Sequence, residues 1–433
     1  MVNPQGHNQY GGKLVLALDD VALTKLFTQF NREKDGNGLS VDEQLARLRA
    51  LGCPMSRMSM YKLRARLGVP TVRNKIKLGN SAQRLQAVLD LKQSDVQGRW
   101  GVAQVRQRLA NKGTSITRDE LRAILHDHFD HEFDLRFPGK DRNAIPRVPL
   151  DCIGPMHQVH VDGHEKLSSQ ALRLGTVTLP IYGYRDLWGG FVFTLVVLPN
   201  VRLASTCAHL YLDFVEARGA IPLTMVSDKG SETGKMIEFQ ELLRRDAAPE
   251  IPEEEFRSWV QVQSKHNTPI EGFWLWLREG EGHNVRNVIL SGAAIFNSGD
   301  RLHVNVFNWL WPPLLQERLD EYREYWNNHT VRRQREKDLP SGTSPVHIWS
   351  CPTHMRATAR DCRVNVRQDM IQELRDEIGG DEARRQAYQF VTPEFQAAAD
   401  GAYADLGHPR ITLTTAWTVF LAVVDKLRGS GFS

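Results

Sequence analysis

The sequence has few of the features that identify secreted, membrane-spanning or disordered proteins. It contains five cysteines in 433 residues, and so small and odd a number favours a reducing compartment over a disulfide framework. Residues 1–12 are polar and lack the apolar centre of a signal peptide. The apolar run at residues 411–424 is interrupted by threonines and is too short to cross a bilayer of about 30 Å. With 41% hydrophobic and 24% charged residues, we expect a globular protein without a membrane partner.

Acidic residues are absent from a long stretch near the N-terminus. Between Glu43 and Asp90 the chain carries ten basic residues and no acid, and residues 1–150 have a net charge of +10, although the whole chain has only +4. A basic N-terminal region ahead of a more acidic remainder indicates contact with a polyanion such as nucleic acid. A solvated helical face is the alternative explanation of the same charges.

In residues 1–136 the apolar side chains recur at helical spacing. Ser40 and Glu43 predict a capping box, in which each side chain bonds the backbone of the other, ahead of an apolar helical stripe. A tight turn and a second, basic helix over residues 56–67 follow. This order of helix, turn and basic helix is typical of a helix-turn-helix unit.

The same pattern returns further along the chain. Residues 101–110 predict a helix, and another helix begins at Thr117 after a short turn. One such pair is commonly a structural helical hairpin, but two pairs favour a two-part DNA-binding region. The predicted DNA contacts in it are Arg57, Lys62, Arg64, Arg66, Arg73, Lys75, Lys77, Arg118 and Arg122.

The rest of the chain divides into a linker, an α/β region and a helical C-terminus. Three prolines in residues 137–154 predict the linker. Over residues 155–350 the pattern predicts three strands, then helix, strand, helix, strand and helix, which indicates an α/β fold with a mixed sheet. Residues 351–433 are predicted to be helical.

Three acids stand at the ends of predicted elements. Asp162 lies at the end of the first strand, Asp228 follows the fourth, and Glu271 lies at the start of a helix. Taken singly, each has an ordinary explanation, because Asp forms turns and Glu stabilises the first turn of a helix. Together they can converge at one edge of the sheet, where carboxylate oxygens hold Mg²⁺ and two such ions stabilise an in-line phosphoryl displacement.

With these motifs the sequence resembles the integrase-type DDE superfamily, which includes the catalytic cores of retroviral integrases and transposases and related transposon-derived proteins. The resemblance rests on the three acid motifs, their spacings of 66 and 43 positions, and the order of strands and helices around them. It covers about residues 155–350, with a helical insertion at about 285–325. It implies a ribonuclease-H-like, mixed five-stranded sheet flanked by helices, preceded by an all-α helix-turn-helix region and followed by a helical tail.

The resemblance also implies catalytic residues and a cofactor. Asp162, Asp228 and Glu271 would be the catalytic acids and would bind two Mg²⁺ or Mn²⁺ ions. Asp162 would bridge both ions, and the other two acids would each complete one side. Glu165 and Glu232, which neighbour two of these acids, are expected to face solvent.

Two further DNA contacts follow from the resemblance. Asn267 matches the third motif of the family, and Arg278 matches one of the two basic residues with which retroviral integrases touch DNA. The other basic position holds Leu275, which is a departure from the family pattern. The aromatic residues Phe273, Trp274 and Trp276 could stack on bases, but helix-spaced aromatic residues more often pack into a core.

The leading hypothesis is an integrase or transposase that catalyses metal-dependent hydrolysis of a DNA phosphodiester and strand transfer. The alternative is a domesticated, non-catalytic DNA-binding or regulatory protein derived from a transposon, and a weaker one is a nuclease that cuts without joining. The resemblance further implies DNA as the partner, a homo-oligomer on DNA ends and a nuclear location.

Overall fold

The computed structural model describes residues 17–129, 152–165, 167, 172–263, 266–333 and 338–430. Residues 137–151 of the predicted linker lie outside the described residues.

The N-terminal region is helical, as the periodicity predicts. Its capping box is present, since the backbone N–H of Ser40 donates to Glu43 Oε2 at 2.7 Å and the N–H of Glu43 donates to Ser40 Oγ. The helices are α1 (Asp20–Arg32), α2 (Val41–Ala50), α3 (Arg57–Arg66), α4 (Val72–Leu78), α5 (Ser81–Lys92), α6 (Val102–Asn111) and α7 (Arg118–Phe129).

These helices build two small hydrophobic cores, each with one of the predicted helix pairs. The first core joins α1, α2 and α3 through Leu23, Phe27, Phe30, Leu39, Leu48, Cys53 and Met60. The second joins α5, α6 and α7 through Val88, Leu91, Trp100, Val105, Leu109, Ile116, Leu121 and Leu125. Each predicted pair is therefore completed by a preceding helix, which gives the three-helix arrangement in which helix-turn-helix units bury their apolar faces.

A five-stranded mixed sheet follows. Its strands are β1 (Gln158–His164), β2 (Ile181–Asp186), β3 (Val192–Val197), β5 (Thr224–Asp228) and β6 (Trp259–Val262). Their order in the sheet is β3-β2-β1-β5-β6. β1 pairs antiparallel with β2, and β2 with β3, whereas β1–β5 and β5–β6 are parallel pairs. A separate two-residue strand, β4 (Ala220–Ile221), pairs with β7 (Val364–Asn365) and had no sequence signal.

Helices cover both faces of the sheet. They include α8 (Ala204–Arg218), α9 (Gly234–Ala247) and α10 (Thr268–Leu277). On β2, Tyr184 stacks on Phe214 of α8 at 5.0 Å, whereas the neighbouring Gly183 lies under Trp274 of α10. Because successive residues of a strand point to opposite faces, α8 and α10 pack on opposite sides of the sheet. The five-stranded mixed sheet and its helices confirm the predicted ribonuclease-H-like fold.

The remaining elements are mostly helical, and the helical C-terminus is confirmed. A π-helical turn (Arg278–Gly282) continues α10. The next helices are α11 (His283–Ser291) and α12 (Arg301–Asn328), followed by α13 (Pro345–Ser350), α14 (Pro352–Met355), α15 (Gln368–Glu377), α16 (Gly380–Ala387), α17 (Pro393–Asp405) and α18 (Ala416–Gly429). None of the helices in the described ranges is long and apolar enough to span a membrane.

The chain forms two compact units, and the first is assembled from two separate segments. It joins residues 1–154 with residues 324–360, whereas the second unit joins residues 155–323 with residues 361–433. In the first unit, the buried Glu33 carboxylate accepts hydrogen bonds from Arg47 and from the hydroxyl of Ser344. A hydrogen-bonded buried carboxylate therefore links the N-terminal helices to residues that follow them by some three hundred positions.

Candidate active site

Asp162 and Asp228 lie side by side at the carboxyl ends of two neighbouring parallel strands. In the register of β1 and β5, His160 is opposite Val226, and each acid lies two residues further along its strand. Residues two apart on a strand point to the same face, and neighbouring strands lie about 4.8 Å apart. The pairing therefore brings both carboxylates to one edge of the sheet on the same face.

Glu271 is in the first turn of α10, and Asn267 fixes that turn to β1. The Asn267 side chain is only 1% exposed, and its Nδ2 donates to the carbonyl of Val161 at 3.2 Å. Its Oδ1 is therefore the acceptor for the Nδ1–H of His160, at 2.7 Å. These two bonds place the start of α10 beside the strand that carries Asp162.

The burial of Asn267 changes its predicted role. A side chain enclosed between α10 and β1 has no exposed surface to offer to DNA. We therefore describe Asn267 as a residue that positions the helix of Glu271. The sequence signal for this role was its place directly before the helix.

Burial and neighbouring negative charge act on both aspartates. Burial, together with the charges of Asp228 and Glu271, raises the pKa of Asp162 to about 7. Burial and the charge of Glu271 also raise the pKa of Asp228. The three acids that the sequence singled out therefore lie near enough for the charge of Glu271 to act on both aspartates.

Trp274 was expected to pack, and it is buried, but it also binds one of these acids. Its indole Nε1 donates to Asp162 Oδ2 at 2.8 Å, a bond that acts to lower the pKa of that carboxyl. The indole ring stacks on His164 at 4.8 Å. The sequence signal was its position three residues after Glu271, because residues three apart lie on neighbouring parts of a helix surface.

Gly183 provides the room for this indole. It lies opposite Asp162 in the register of β1 and β2. A Cβ atom at Gly183 would lie 2.7 Å from the ring of Trp274, which is closer than van der Waals contact permits. The absence of a side chain at Gly183 therefore allows Trp274 to reach Asp162.

The two neighbouring acids, Glu165 and Glu232, differ. Glu165 is half-buried and forms a two-bond ion pair with Arg202, at 2.8 and 2.6 Å. Glu232 is also half-buried, and burial together with the charges of Asp228 and Glu165 raises its pKa. Both acids are thus partly exposed, and Glu232 adds a fourth carboxylate near Asp228.

The donor chemistry of the site fits a hard divalent cation. Carboxylate oxygens are the ligands that Mg²⁺ and Mn²⁺ take, and a cation would offset the burial and the neighbouring negative charges that raise the pKa of Asp162. Within the described ranges, no three His, Cys, Asp or Glu side chains already stand in an arrangement that could hold an ion. Binding therefore requires these side chains to reorient, and the Asp162 carboxylate starts from its bond to Trp274.

The predicted DNA contacts of the N-terminal region divide by exposure. Most are at the surface, namely Arg57, Lys62, Arg66, Arg73, Lys77, Arg118 and Arg122. Arg66 is paired with Asp20 through two bonds of 2.7 Å, and the half-buried Lys75 donates to the carbonyl of Gly113. In the second unit, Arg278 is half-exposed and lies 3.6 Å from Glu279.

The expected surface position of Arg64 is wrong. Its side chain is 3% exposed, and its guanidinium donates to Gln44, Asn31 and the carbonyl of Pro70. Arg64 follows Met60 by four positions, so it lies on the inward face of α3. It stabilises the first three-helix core and does not belong to the surface set.

Comparison with known proteins agrees with this architecture. Residues 151–361 match the family model described as an integrase core domain. They include the five-stranded sheet and all three acids. No curated protein matches the chain.

Proposed function

We propose, on the premise that residues 151–361 are an integrase/transposase-like catalytic core domain, that this chain is a polynucleotidyl transferase of the DDE type. It would hydrolyse a DNA phosphodiester and then transfer the freed 3′ end to a target strand. The observation that carries the proposal is the register of β1 and β5, in which Asp162 and Asp228 are neighbours, together with the nearby Glu271 in the first turn of α10, whose charge raises the pKa of both. Acids at these positions match the acid motifs of the superfamily.

The chain's own residues set the geometry of the proposed site. Two divalent cations held by the three acids would neutralise the charge that develops on the attacking and leaving oxygens of a phosphodiester. Trp274 orients Asp162 by donating to its Oδ2. The hydrogen bond between His160 and Asn267, with that of Asn267 to β1, holds Glu271 beside the ends of the two strands. Such preorganisation reduces the rearrangement that the reaction needs.

The N-terminal region supplies the proposed DNA-binding surface. Its two three-helix cores carry exposed basic side chains, and no acid lies between Glu43 and Asp90. Lys and Arg bind phosphates, so this surface would hold the duplex by its backbone. Charge alone would not distinguish one base sequence from another. From the resemblance we extend the proposal to a homo-oligomer on paired DNA ends and to a nuclear location.

The proposal is tested by incubating the full chain with labelled duplex DNA of mixed sequence in Mg²⁺ or Mn²⁺ and resolving nicked and joined products. We expect both products from the wild type and a loss of at least about 100-fold in Asp228→Asn, because electrostatic stabilisation dominates this chemistry. Asp246→Asn is the matched control, since Asp246 is a carboxylate on α9 that pairs with Arg367.

Three outcomes would contradict the proposal or narrow it. Retained activity in Asp228→Asn would contradict the assignment of the acids. A wild type that binds DNA but gives no metal-dependent product would favour the non-catalytic alternative. Nicks without joined product, even from precut DNA, would identify a nuclease.

A further inference from the structure

Trp276 is more exposed than the other tryptophans of this protein. All ten tryptophans lie in the described part of the chain, and Trp276 alone is exposed, at 60%. The adjacent Leu275 is 48% exposed. Phe273 and Trp274 are packed, as expected, whereas Trp276 is not. Large apolar side chains left together in solvent mark surfaces that bind something.

This apolar pair lies on the same side of α10 as Glu271. The inward face of the helix is formed by buried side chains, namely Ile270, Phe273, Trp274 and Leu277. The exposed face carries Glu271, Gly272, Leu275 and Trp276. With a rise of about 1.5 Å per residue, Trp276 lies about 7.5 Å along the helix from Glu271. Trp276 also lies about 140° around the helix from Glu271, whereas Leu275 lies about 40° around it. A strand bound at the acidic site would therefore cross Leu275 before it reached Trp276.

The surface between Glu271 and Trp276 is open. Gly272 precedes Trp276 by one helical turn, and a Cβ atom there would meet no other atom within 4 Å. A flat group could therefore lie against the indole without displacing a neighbouring side chain.

The charge of α10 indicates which part of a nucleic acid this surface could hold. Residues 268–277 contain no Lys or Arg, so the helix offers no cation to a phosphate. It offers a carboxylate, an indole and an aliphatic side chain. Aromatic side chains bind nucleic acids by stacking on bases, and each stacked base is worth about 1–3 kcal/mol whatever its sequence.

We infer that Trp276, with Leu275 beside it, is a stacking platform for an unpaired base of the DNA strand that occupies the acidic site. Because Leu275 lies between Glu271 and Trp276, the stacked base belongs to a nucleotide further along the strand than the phosphate that the acids engage. The inference rests on the proposed function and names how that site holds its substrate: by an unpaired base.

The test compares forked DNA, which has unpaired ends, with blunt duplex of the same length and mixed sequence. Binding of the full chain is measured by fluorescence anisotropy in EDTA, so that no chemistry takes place. Trp276→Ala weakens binding to forked DNA about 5- to 100-fold and leaves blunt DNA nearly unchanged. Trp276→Phe retains most of the preference for forked DNA. Leu421→Ala, which removes an exposed apolar side chain from α18, changes neither affinity.

Two further readouts separate stacking from other roles. The slope of log affinity against log salt stays at the wild-type value in Trp276→Ala, because no phosphate contact is lost. 2-Aminopurine is also placed at each unpaired position in turn, and its emission at one of them is quenched by the wild type and not by Trp276→Ala.

Equal binding of forked DNA by wild type and Trp276→Ala would overturn the inference. If that result is accompanied by a loss of self-association of Trp276→Ala in sedimentation velocity, the patch is instead an interface between copies of the chain. Failure of the proposed function is a separate result, because it would show as absence of metal-dependent products from the wild type.

Discussion

The indole Nε1 of Trp274 donates to Oδ2 of Asp162, at 2.8 Å, across the interface between α10 and the sheet. The bond connects the helix of one proposed catalytic acid to the side chain of another. Since Glu271 and Trp274 are one turn apart on α10, any shift of this helix would move both acids' surroundings together.

Replacing Trp274 with phenylalanine keeps an aromatic ring but removes the donor. Because that bond acts to lower the pKa of Asp162, we expect the acidic limb of the pH–rate profile to move to higher pH. Hydrogen bonds to charged groups are worth about 1.5–3 kcal/mol, so kcat falls about 10- to 100-fold. Trp259→Phe is the control, because Trp259 donates to Ser227. An unchanged profile in Trp274→Phe would show that the bond does not orient Asp162.

Gly183→Ala places a methyl group where the indole of Trp274 lies. The ring must move, and overpacking of this kind costs about 1–3 kcal/mol of unfolding free energy. We expect activity to fall with the loss of the bond to Asp162. Gly401→Ala is the opposite case: it lies in α17 with open space around its Cβ position, so it should stabilise the protein slightly. If Gly183→Ala kept full activity, the position of the Trp274 indole would not matter for catalysis.

Divalent cations are expected to stabilise the folded protein through the three acids. Without an ion, burial and neighbouring charges disfavour ionised Asp162, so Asp162→Asn should raise Tm at pH 8. In 10 mM MnCl₂ the wild type should gain about 2–8 °C and Asp162→Asn almost nothing. Differential scanning fluorimetry measures both effects, and Asp246→Asn should respond as the wild type does. If Mg²⁺ and Mn²⁺ left the wild-type Tm unchanged, the proposal that the acids bind these ions would be contradicted.

His160 should make stability depend on pH in the acidic range. Burial lowers its pKa to about 4, whereas an unfolded histidine binds a proton near pH 6.5. Between these values the unfolded state holds more protons, so the contribution of His160 to stability falls as the pH falls. Asn is a close replacement, because its Nδ2 can take the place of the ring Nδ1.

The measurement is urea unfolding of wild type and His160→Asn at pH 7.5 and 4.5. The difference in unfolding free energy between the two proteins should change by about 2–3 kcal/mol in favour of the variant at the lower pH. His408→Asn, at an exposed histidine, should leave the wild-type dependence intact. Parallel profiles for His160→Asn would show that His160 is not held neutral in the fold.

Lys62 and Arg64 belong to the same helix but should behave differently. Lys62 is exposed, so Lys62→Ala should reduce the slope of log affinity for DNA against log salt by about 1 and leave stability unchanged. Arg64 is buried with three hydrogen-bond partners, so Arg64→Ala should cost about 2–4 kcal/mol of unfolding free energy. Equal salt slopes for Lys62→Ala and wild type would exclude α3 from the DNA surface.

Local patterns predicted much of this protein. The capping box at Ser40, the two helix pairs and the order of strands all follow from spacings of a few residues, which the sequence displays directly. The three acids could be selected because strand ends and helix starts of an α/β sheet meet at one edge. The inward position of Arg64 was also visible in its spacing from Met60, but its charge led us to expect exposure.

Other features depend on contacts between distant residues. The bonds of Asn267 to His160 and Val161 join positions more than one hundred residues apart, so no local pattern contains them. The same holds for Gly183, whose role depends on a ring from another element. The two-residue strands β4 and β7 are too short to produce an alternating pattern.

The union of residues 1–154 with residues 324–360 has a consequence for biosynthesis. Ser344 must leave the ribosome before it can bond the buried carboxylate of Glu33, so the N-terminal helices cannot complete their fold while the α/β region is still being made. During that interval the charged Glu33 has only part of its final set of partners. The first region to be synthesised is thus among the last to be finished, and in a nascent chain that stops within the α/β region Glu33 would lack its bond to Ser344.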